Sequence, residues 1–398
     1  MTTPATTPAT TSKPFVAFGA LWFSYLASLG LFNPYAPLWF QSLGYGTVAI
    51  GAIASLQSWT RVVAPYAWGW LADHRGHRVS LLRTASAIAL LASVGFLFTT
   101  DYTALALITL CIFLANGAVI PLSEAALAGL LHTADGMNSG RYGRVRAWGS
   151  VGFIVAVGAY GVVLDSVGID AFPWFVVAMF GLLALAALRL PSSADSVSPP
   201  GPHDSAGVLA VLRHPAVRWF FASVFFTVLA HTSLYAFLSL YLDSLGFGKP
   251  VVGAVWTVSV AVEIAFFWTQ GRWFSRFSPH GWLIAAALVS VLRFAAMAAF
   301  GTHLAVLVLA QATHAITFAA HHAACVTLLG RHFPGRLRAR GQALYTTLGY
   351  GLSGVLGGFG GGLLSEQLGF AAVFWAASLA AACGVACAYV ALRRARLA

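Results

Sequence analysis

The sequence predicts an all-α membrane protein in which twelve transmembrane helices form two pseudo-symmetric six-helix bundles. Three observations carry this prediction. Of the 398 residues, 59% are hydrophobic and 8% charged, well beyond the roughly 45–50% apolar content of soluble domains. Apolar runs of about 20 residues, long enough for a helix to cross about 30 Å of hydrocarbon, recur along almost the whole chain. The basic residues fall in alternate loops. Open sheets cannot leave backbone groups unpaired in lipid, and barrel strands would alternate apolar and polar residues over about 10 positions, a pattern absent here, so the spans are helices.

In chain order, residues 1–14 read as a disordered tail: MTTPATTPATTS is polar, of low complexity and without a basic leader, so the first span is expected to stay in the mature protein. Six apolar runs follow, at 15–40, 48–72, 80–99, 103–131, 147–167 and 171–190, and make an N-terminal bundle over 15–190. The first is interrupted by FNPYAP at Phe32–Pro37. PSSADSVSPPGPHDSAG, rich in Pro, Ser and Gly, then opens a linker at 191–215. Runs at 216–242, 250–272, 281–300, 304–330, 342–364 and 370–392 make a C-terminal bundle over 216–392, ahead of a short basic tail at 393–398.

The charge distribution orients these spans. Lys13, the loops after spans 2, 4, 6, 8 and 10, and the C-terminal tail hold nineteen of the 22 basic residues, whereas the opposite loops hold Lys249 alone. By the positive-inside rule both termini, the linker and both tails face the cytoplasm, which requires an even number of spans. The net charge of +11 is thereby explained by topology, and no nucleic-acid partner is expected. Cys111, Cys325, Cys383 and Cys387 all lie within spans, and no His or carboxylate completes a metal set beside them. No nucleophile and base pair, redox motif or nucleotide loop is present. An enzyme, a cofactor and a metal are therefore not expected.

The two halves repeat one pattern. At a displacement of 202 residues SLGYG (Ser42–Gly46) falls on SLGFG (Ser244–Gly248), Gly51 on Gly253 and Gly69 on Gly271; at 201, Asp165 falls on Glu366 and Gly168 on Gly369. Duplicated bundles of this kind place a substrate site near the midplane between the repeats. GWLADHRGHR (Gly69–Arg78), between spans 2 and 3, resembles the G-x-L-A-D-R-x-G-R-R loop of the major facilitator superfamily, a resemblance that covers essentially the whole chain. It implies that Asp73 caps a helix end and pairs across a cytoplasmic gate, with Arg75 and Arg78 as loop charges.

Charges inside the membrane cost about 2.5–3.5 kcal/mol each on insertion scales and mark cavities or partners. Arg61 (span 2), Glu124 (span 4), Glu263 (span 8) and Arg293 (span 9) are such residues, and the repeat sets Arg61 over Glu263. Two readings are open: they bind substrate and proton, or they pair with one another as structural ions. SGRYGRVRAWGSVGF (Ser139–Phe153) resembles the FGRARMFGC segment of the lactose permease group of proton symporters, and more closely the YGKVRLWGSV segment of the 3-phenylpropionate transporter group. The resemblance implies that Arg146 reaches the substrate beside Glu124, with Trp148 in the matching run. HAITFAAHH (His314–His322) supplies the histidine of the lactose group at His314, but Thr317 stands where that group carries its proton-releasing carboxylate. Proton coupling is then expected at Glu124 or Glu263, with His314 assisting, because burial raises a carboxyl pKa towards a useful range. Tyr235, in HTSLYAF of span 7, is a further candidate.

The expected function is proton-coupled uptake of a small organic anion, plausibly an aromatic carboxylate, by alternating access. Substrate binding is assigned to Arg61, Arg146, Arg293, Trp148, Tyr235 and His314; proton coupling to Glu124, Glu263 and His314; and gating to Asp73, Arg75 and Arg78. The alternative is a proton-driven exporter of drugs, sugars or other metabolites on the same fold. The expected partners are a small-molecule substrate, protons and the lipid bilayer, with the protein a monomer in the inner cell membrane.

Overall fold

The computed structural model describes residues 13–133, 136–137, 139–192 and 206–397. The expected disordered tail, apart from Lys13 and Pro14, and positions 193–205 of the linker lie outside the described residues. The first half comprises α1 (Lys13–Ser42), α2 (Thr47–Arg75), α3 (Arg78–Val94), α4 (Tyr102–Asn116), α5 (Val119–Leu131), α6 (Ser139–Val167) and α7 (Phe172–Leu188). A short helix, α8 (Ala206–Arg213), follows the linker. The second half comprises α9 (Pro215–Ser244), α10 (Lys249–Trp273), α11 (Pro279–Phe300), α12 (Leu304–Ala312), α13 (His321–His332), α14 (Arg338–Leu344), α15 (Ser353–Leu368) and α16 (Phe370–Arg396). Two π-helical segments, Ala315–Ala320 and Tyr345–Leu352, join α12 to α13 and α14 to α15. The only strands among the described residues are His132–Thr133 and Gly136–Met137, a short antiparallel pair.

Ten of these stretches are long and apolar enough to cross a membrane, α4 with α5 and α12 with α13 each making one. α2 and the glycine-rich stretch from α14 to α15, the two long helical stretches outside those ten, pack against each other, and counting them as crossings gives the expected twelve. Several boundaries move from their sequence expectations. The first helix begins at Lys13, α6 already at Ser139, so that Arg141, Arg144 and Arg146 are helical, and α16 carries the basic tail through Arg396.

The repeat read in the sequence is a repeat of backbone geometry. Gly44 and Gly246 turn α1 into α2 and α9 into α10 at φ 87° and 82°, and Gly168 and Gly369 do the same before α7 and α16 at 91° and 80°. These left-handed conformations favour glycine. Gly46 and Gly248 then start α2 and α10 with φ, ψ of −67°, 163° and −68°, 164°.

An even number of crossings puts Lys13 and Arg396 on one face, here the terminal face. At the opposite, far face the halves are in tight contact. Along α2, Thr47, Gly51, Ser55, Ser58 and Val62 meet Gly362, Gly358, Val355, Gly354 and Gly351 of the other half. A Cβ on Gly358 would lie 2.5 Å from Ser55 Oγ and 2.7 Å from Gly51 O, so the approach needs glycine. The hydroxyls of Ser55 and Thr47 donate across the seam to Val355 O and Gly362 O, both at 3.0 Å. On the other flank a Cβ on Gly253 of α10 would lie 2.6 Å from Val157 O of α6, the carbonyl that accepts from Tyr35 Oη at 2.6 Å.

Towards the terminal face both seams open. The stripe on α2 continues through Tyr66, 66% exposed, and Gly69, at which a Cβ would meet nothing within 4 Å; on α10 Trp268 is 82% exposed and Gly271 equally open, as is Gly143 on α6. One apolar core joins both halves, whereas a second, around Phe220, Leu328, Phe333 and Tyr345, is confined to the C-terminal half. The halves are thus sealed at the far face and parted at the terminal one.

Candidate functional site

Arg61 and Glu263 stand fourteen residues beyond Thr47 and Lys249, the far-face ends of their helices. That is about 21 Å of helix, near mid-membrane. Arg61 is exposed and close enough to act electrostatically on Tyr25 of α1, Tyr235 of α9 and Tyr350 of the second π segment, so it faces both halves.

Nearer the terminal face lie Arg146, Tyr142 and Glu124. The chain breaks between α4 and α5 at Gly117 and Ala118; Ala118 N–H turns back to Ala115 O, and the released Leu114 carbonyl accepts from Trp68 Nε1 at 2.8 Å. Gly117 permits the break to lie directly against Ala64. Glu124, on the reoriented α5, accepts from Tyr142 Oη at 3.0 Å. One turn along α6, the Arg146 guanidinium carbon sits 4.3 Å from the centroid of the Trp22 ring, a cation–π contact that leaves its donors available. The charge of Arg146 reaches Tyr25, Glu263 and His322.

Towards the far face Arg293 is 2% exposed. It donates from Nη1 to His314 Nδ1 (3.0 Å) and Thr317 Oγ1 (2.8 Å), and from Nη2 to Gln311 Oε1, which also accepts from Ser259 Oγ at 2.6 Å. Guanidinium only donates, so His314 Nδ1 is an acceptor and the neutral ring carries its hydrogen on Nε2. That nitrogen lies 3.9 Å from Glu263 Oε2. A polar chain therefore runs Ser259, Gln311, Arg293, His314, Glu263. His314 also stacks on Phe318 (5.0 Å, 2°) and Phe318 on His322 (6.2 Å, 11°); His322 Nδ1 meets Tyr345 Oη at 3.0 Å, which meets Tyr350 Oη at 3.1 Å. This column rises along the first π segment, a feature frequent at functional sites.

The structure therefore gathers Arg61, Arg146, Glu263 and Tyr235 around the space between the halves, with His314 and Arg293 behind Glu263; Glu124 lies with Tyr142 inside the N-terminal half. Arg293 is a correction to a substrate-contacting expectation, since its side chain is buried and engaged by Gln311, His314 and Thr317. Trp148 is another: it is 55% exposed, with its ring against Gly19, and lies about 200° round α6 from Arg146. Among the described residues none of Arg61, Arg146 and Arg293 has a carboxylate within 4 Å. Tyr142, Trp22, Gln311 and Thr317 were not candidates, because neutral side chains carry no charge to mark them within an apolar run.

Residues 15–376 match the MFS_1 like family. The chain belongs to that family. A relative in Escherichia coli K12, described as a probable 3-phenylpropionic acid transporter, is 27% identical over 93% of this chain and 95% of its own. A maltose permease of Geobacillus stearothermophilus is 27% identical over 85% and 84%. The crystal structure of the nucleoside transporter NupG superposes with a TM-score of 0.76 at 18% identity over 96% of this chain and 98% of that one, which shows the shared fold. This member of the family is a multi-pass membrane transporter. Its loop motif sits at the end of α2, where Gly76 (φ 67°) donates to Ala72 O; Asp73 and Arg75 are exposed and Arg78 is buried. With the terminal face parted, Asp73 has no gate partner among the described residues.

Proposed function

We propose that the protein couples proton entry to the uptake of a small aromatic carboxylate, with Arg61 and Arg146 holding the anion and Glu263 carrying the proton. The observation that carries this reading is that both guanidiniums stand between the halves with no carboxylate partner among the described residues, Arg146 on the ring of Trp22 and Arg61 within electrostatic reach of Tyr25, Tyr235 and Tyr350. Guanidinium binds a carboxylate through two parallel hydrogen bonds and keeps its charge, and the rings supply apolar walls. The Escherichia coli relative, described as a probable 3-phenylpropionic acid transporter, agrees with this substrate class.

Coupling follows from charge. With Glu263 ionised, its carboxylate balances Arg293 through the His314 ring. Once Glu263 is protonated, that balance is lost and the site gains one net positive charge, which a substrate carboxylate restores. Closing the terminal face dehydrates the site, and burying an uncompensated charge costs several kcal/mol, so the doubly loaded carrier reorients more easily than the half-loaded one. Glu124, held by Tyr142, serves to orient that tyrosine beside Arg146. The terminal face, which carries the basic loops, is cytoplasmic by the positive-inside rule, so the conformation is inward-facing.

Purified protein in proteoliposomes is expected to accumulate 3-phenylpropionate when the outside is acidified, with accumulation rising with the size of the inward proton gradient. Arg61→Ala and Arg146→Ala are each expected to weaken binding about 10- to 100-fold, the worth of a charge-assisted pair. Gradient-independent uptake, or accumulation of maltose or cationic compounds in place of acids, overturns the reading.

A further inference from the structure

We infer that the blind, far-face end of the site is a second, uncharged polar subsite that takes a hydroxyl group at the end of the substrate remote from its carboxylate; this rests on the proposed function. A cavity of about 30 Å3 lies there between α1, α2, α4 and α9, room for one or two water-sized groups. Asn33, Gln57, Tyr235 and Thr109 line it, together with apolar side chains such as Phe40 and Ile53; the Thr109 hydroxyl already donates to Leu105 O at 2.8 Å. Gln57 Nε2 donates to Asn33 Oδ1 at 3.0 Å, which orients both amides and leaves Gln57 Oε1 and Asn33 Nδ2 available. Pro37 has no N–H, so the Asn33 carbonyl also loses its helical donor. The Tyr235 hydroxyl has no hydrogen-bond partner among the described residues, while its ring stacks on Trp256 at 6.1 Å.

Position and chemistry select the group. Gln57 precedes Arg61 by one helical turn on the same face, about 6 Å farther from the terminal face, so a carboxylate held at Arg61 directs the rest of the ligand towards the amides with an aromatic ring's length between. The far end is closed above by the seam of Gly51 with Gly358. All four polar side chains are neutral, and together they offer donors and acceptors; a second carboxylate or an ammonium would be buried there uncompensated. A hydroxyl is water-sized, donates and accepts, and fits. A pocket built to hydrogen-bond a hydroxyl discriminates strongly against the analogue lacking it, since its own polar groups are then left unpaired.

The test compares 3-phenylpropionate with 3-(4-hydroxyphenyl)propionate, by binding to the purified full-length protein and by competition for uptake. Wild type is expected to prefer the hydroxylated acid about tenfold, one well-made hydrogen bond, and Gln57→Leu to bring the ratio of the two affinities to about one. Tyr235→Phe, which removes only an oxygen, is the second variant should Gln57→Leu fail to fold, and is expected to reduce the ratio in the same direction. Equal affinities in wild type, as when a resident water fills the cavity, or a preference that survives both substitutions, overturns the subsite alone. If neither acid binds, the proposed function falls and the subsite with it.

Discussion

Arg293 shows how a residue's neighbours decide its role. A charge in an apolar run is costly wherever it stands, which made Arg61, Glu124, Glu263 and Arg293 readable from the sequence. What each one faces was not readable, because the partners of Arg293 are neutral: Gln311, Thr317 and one nitrogen of His314. Such residues look ordinary in a string of letters. The orientation of His314 then follows from its donor, and Glu263 becomes the acid at the end of the chain. Glu263→Gln keeps the volume and the hydrogen-bonding capacity while removing titration. It is expected to retain substrate binding and counterflow exchange of radiolabelled acid, and to lose accumulation driven by a proton gradient; undiminished accumulation would assign the proton to Glu124 instead. Trp148 was chosen from a matching run, and a run does not display helical phase, which sends it away from Arg146.

At the scale of elements, lengths, order and the twofold repeat were legible, because hydrocarbon thickness fixes the run length and left-handed turns fix the glycines Gly44, Gly246, Gly168 and Gly369. Interruptions were not: α1 runs unbroken through Pro34 and Pro37, where the sequence suggested a break. The break between α4 and α5 and the two π segments depend on what packs beside them: Ala64 under Gly117, Trp68 on the freed carbonyl, and the rings along His314, Phe318 and His322. The glycine-rich run GLSGVLGGFGGG (Gly351–Gly362) has a definite partner in α2. Gly358→Val sets a side chain against Ser55 and the Gly51 carbonyl, and overpacking of this kind costs about 1–3 kcal/mol. Because only the far-face-closed state suffers the clash, the variant is expected to fold but to favour the conformation open at the far face. Spin labels on the far-face ends of α2 and α15 should move apart relative to wild type. An unchanged distance distribution would show that the seam absorbs the extra methyls without opening.

For the molecule as a whole, alternating access requires two states of comparable free energy, so the far-face seal has to be held by small increments. Two of these increments are related by the repeat. Glu366 at the end of α15 accepts from Val48 N at 3.3 Å at the start of α2, and Asp165 at the end of α6 stands beside Gly248 at the start of α10, where a Cβ would lie 3.4 Å from Oδ1. Neither helix start has a side-chain cap of its own. Each carboxylate thus faces the positive end of a helix belonging to the other half, an arrangement worth about 0.3–1 kcal/mol. The two sites lie on opposite flanks, and distant effects add. Glu366→Gln or Asp165→Asn alone is expected to raise the open fraction of the far face up to about fivefold, and the double variant up to about 30-fold, from the same energies by the usual conversion. Ser55→Cys, buried in the seam, reports this as its rate of modification by a membrane-impermeant thiol reagent added outside, with the four native cysteines replaced. Because both contacts belong to one state only, substrate binding at saturating concentration should be little changed while labelling accelerates. Equal labelling rates in parent and double variant would place the stability of the seal in the glycine seam alone.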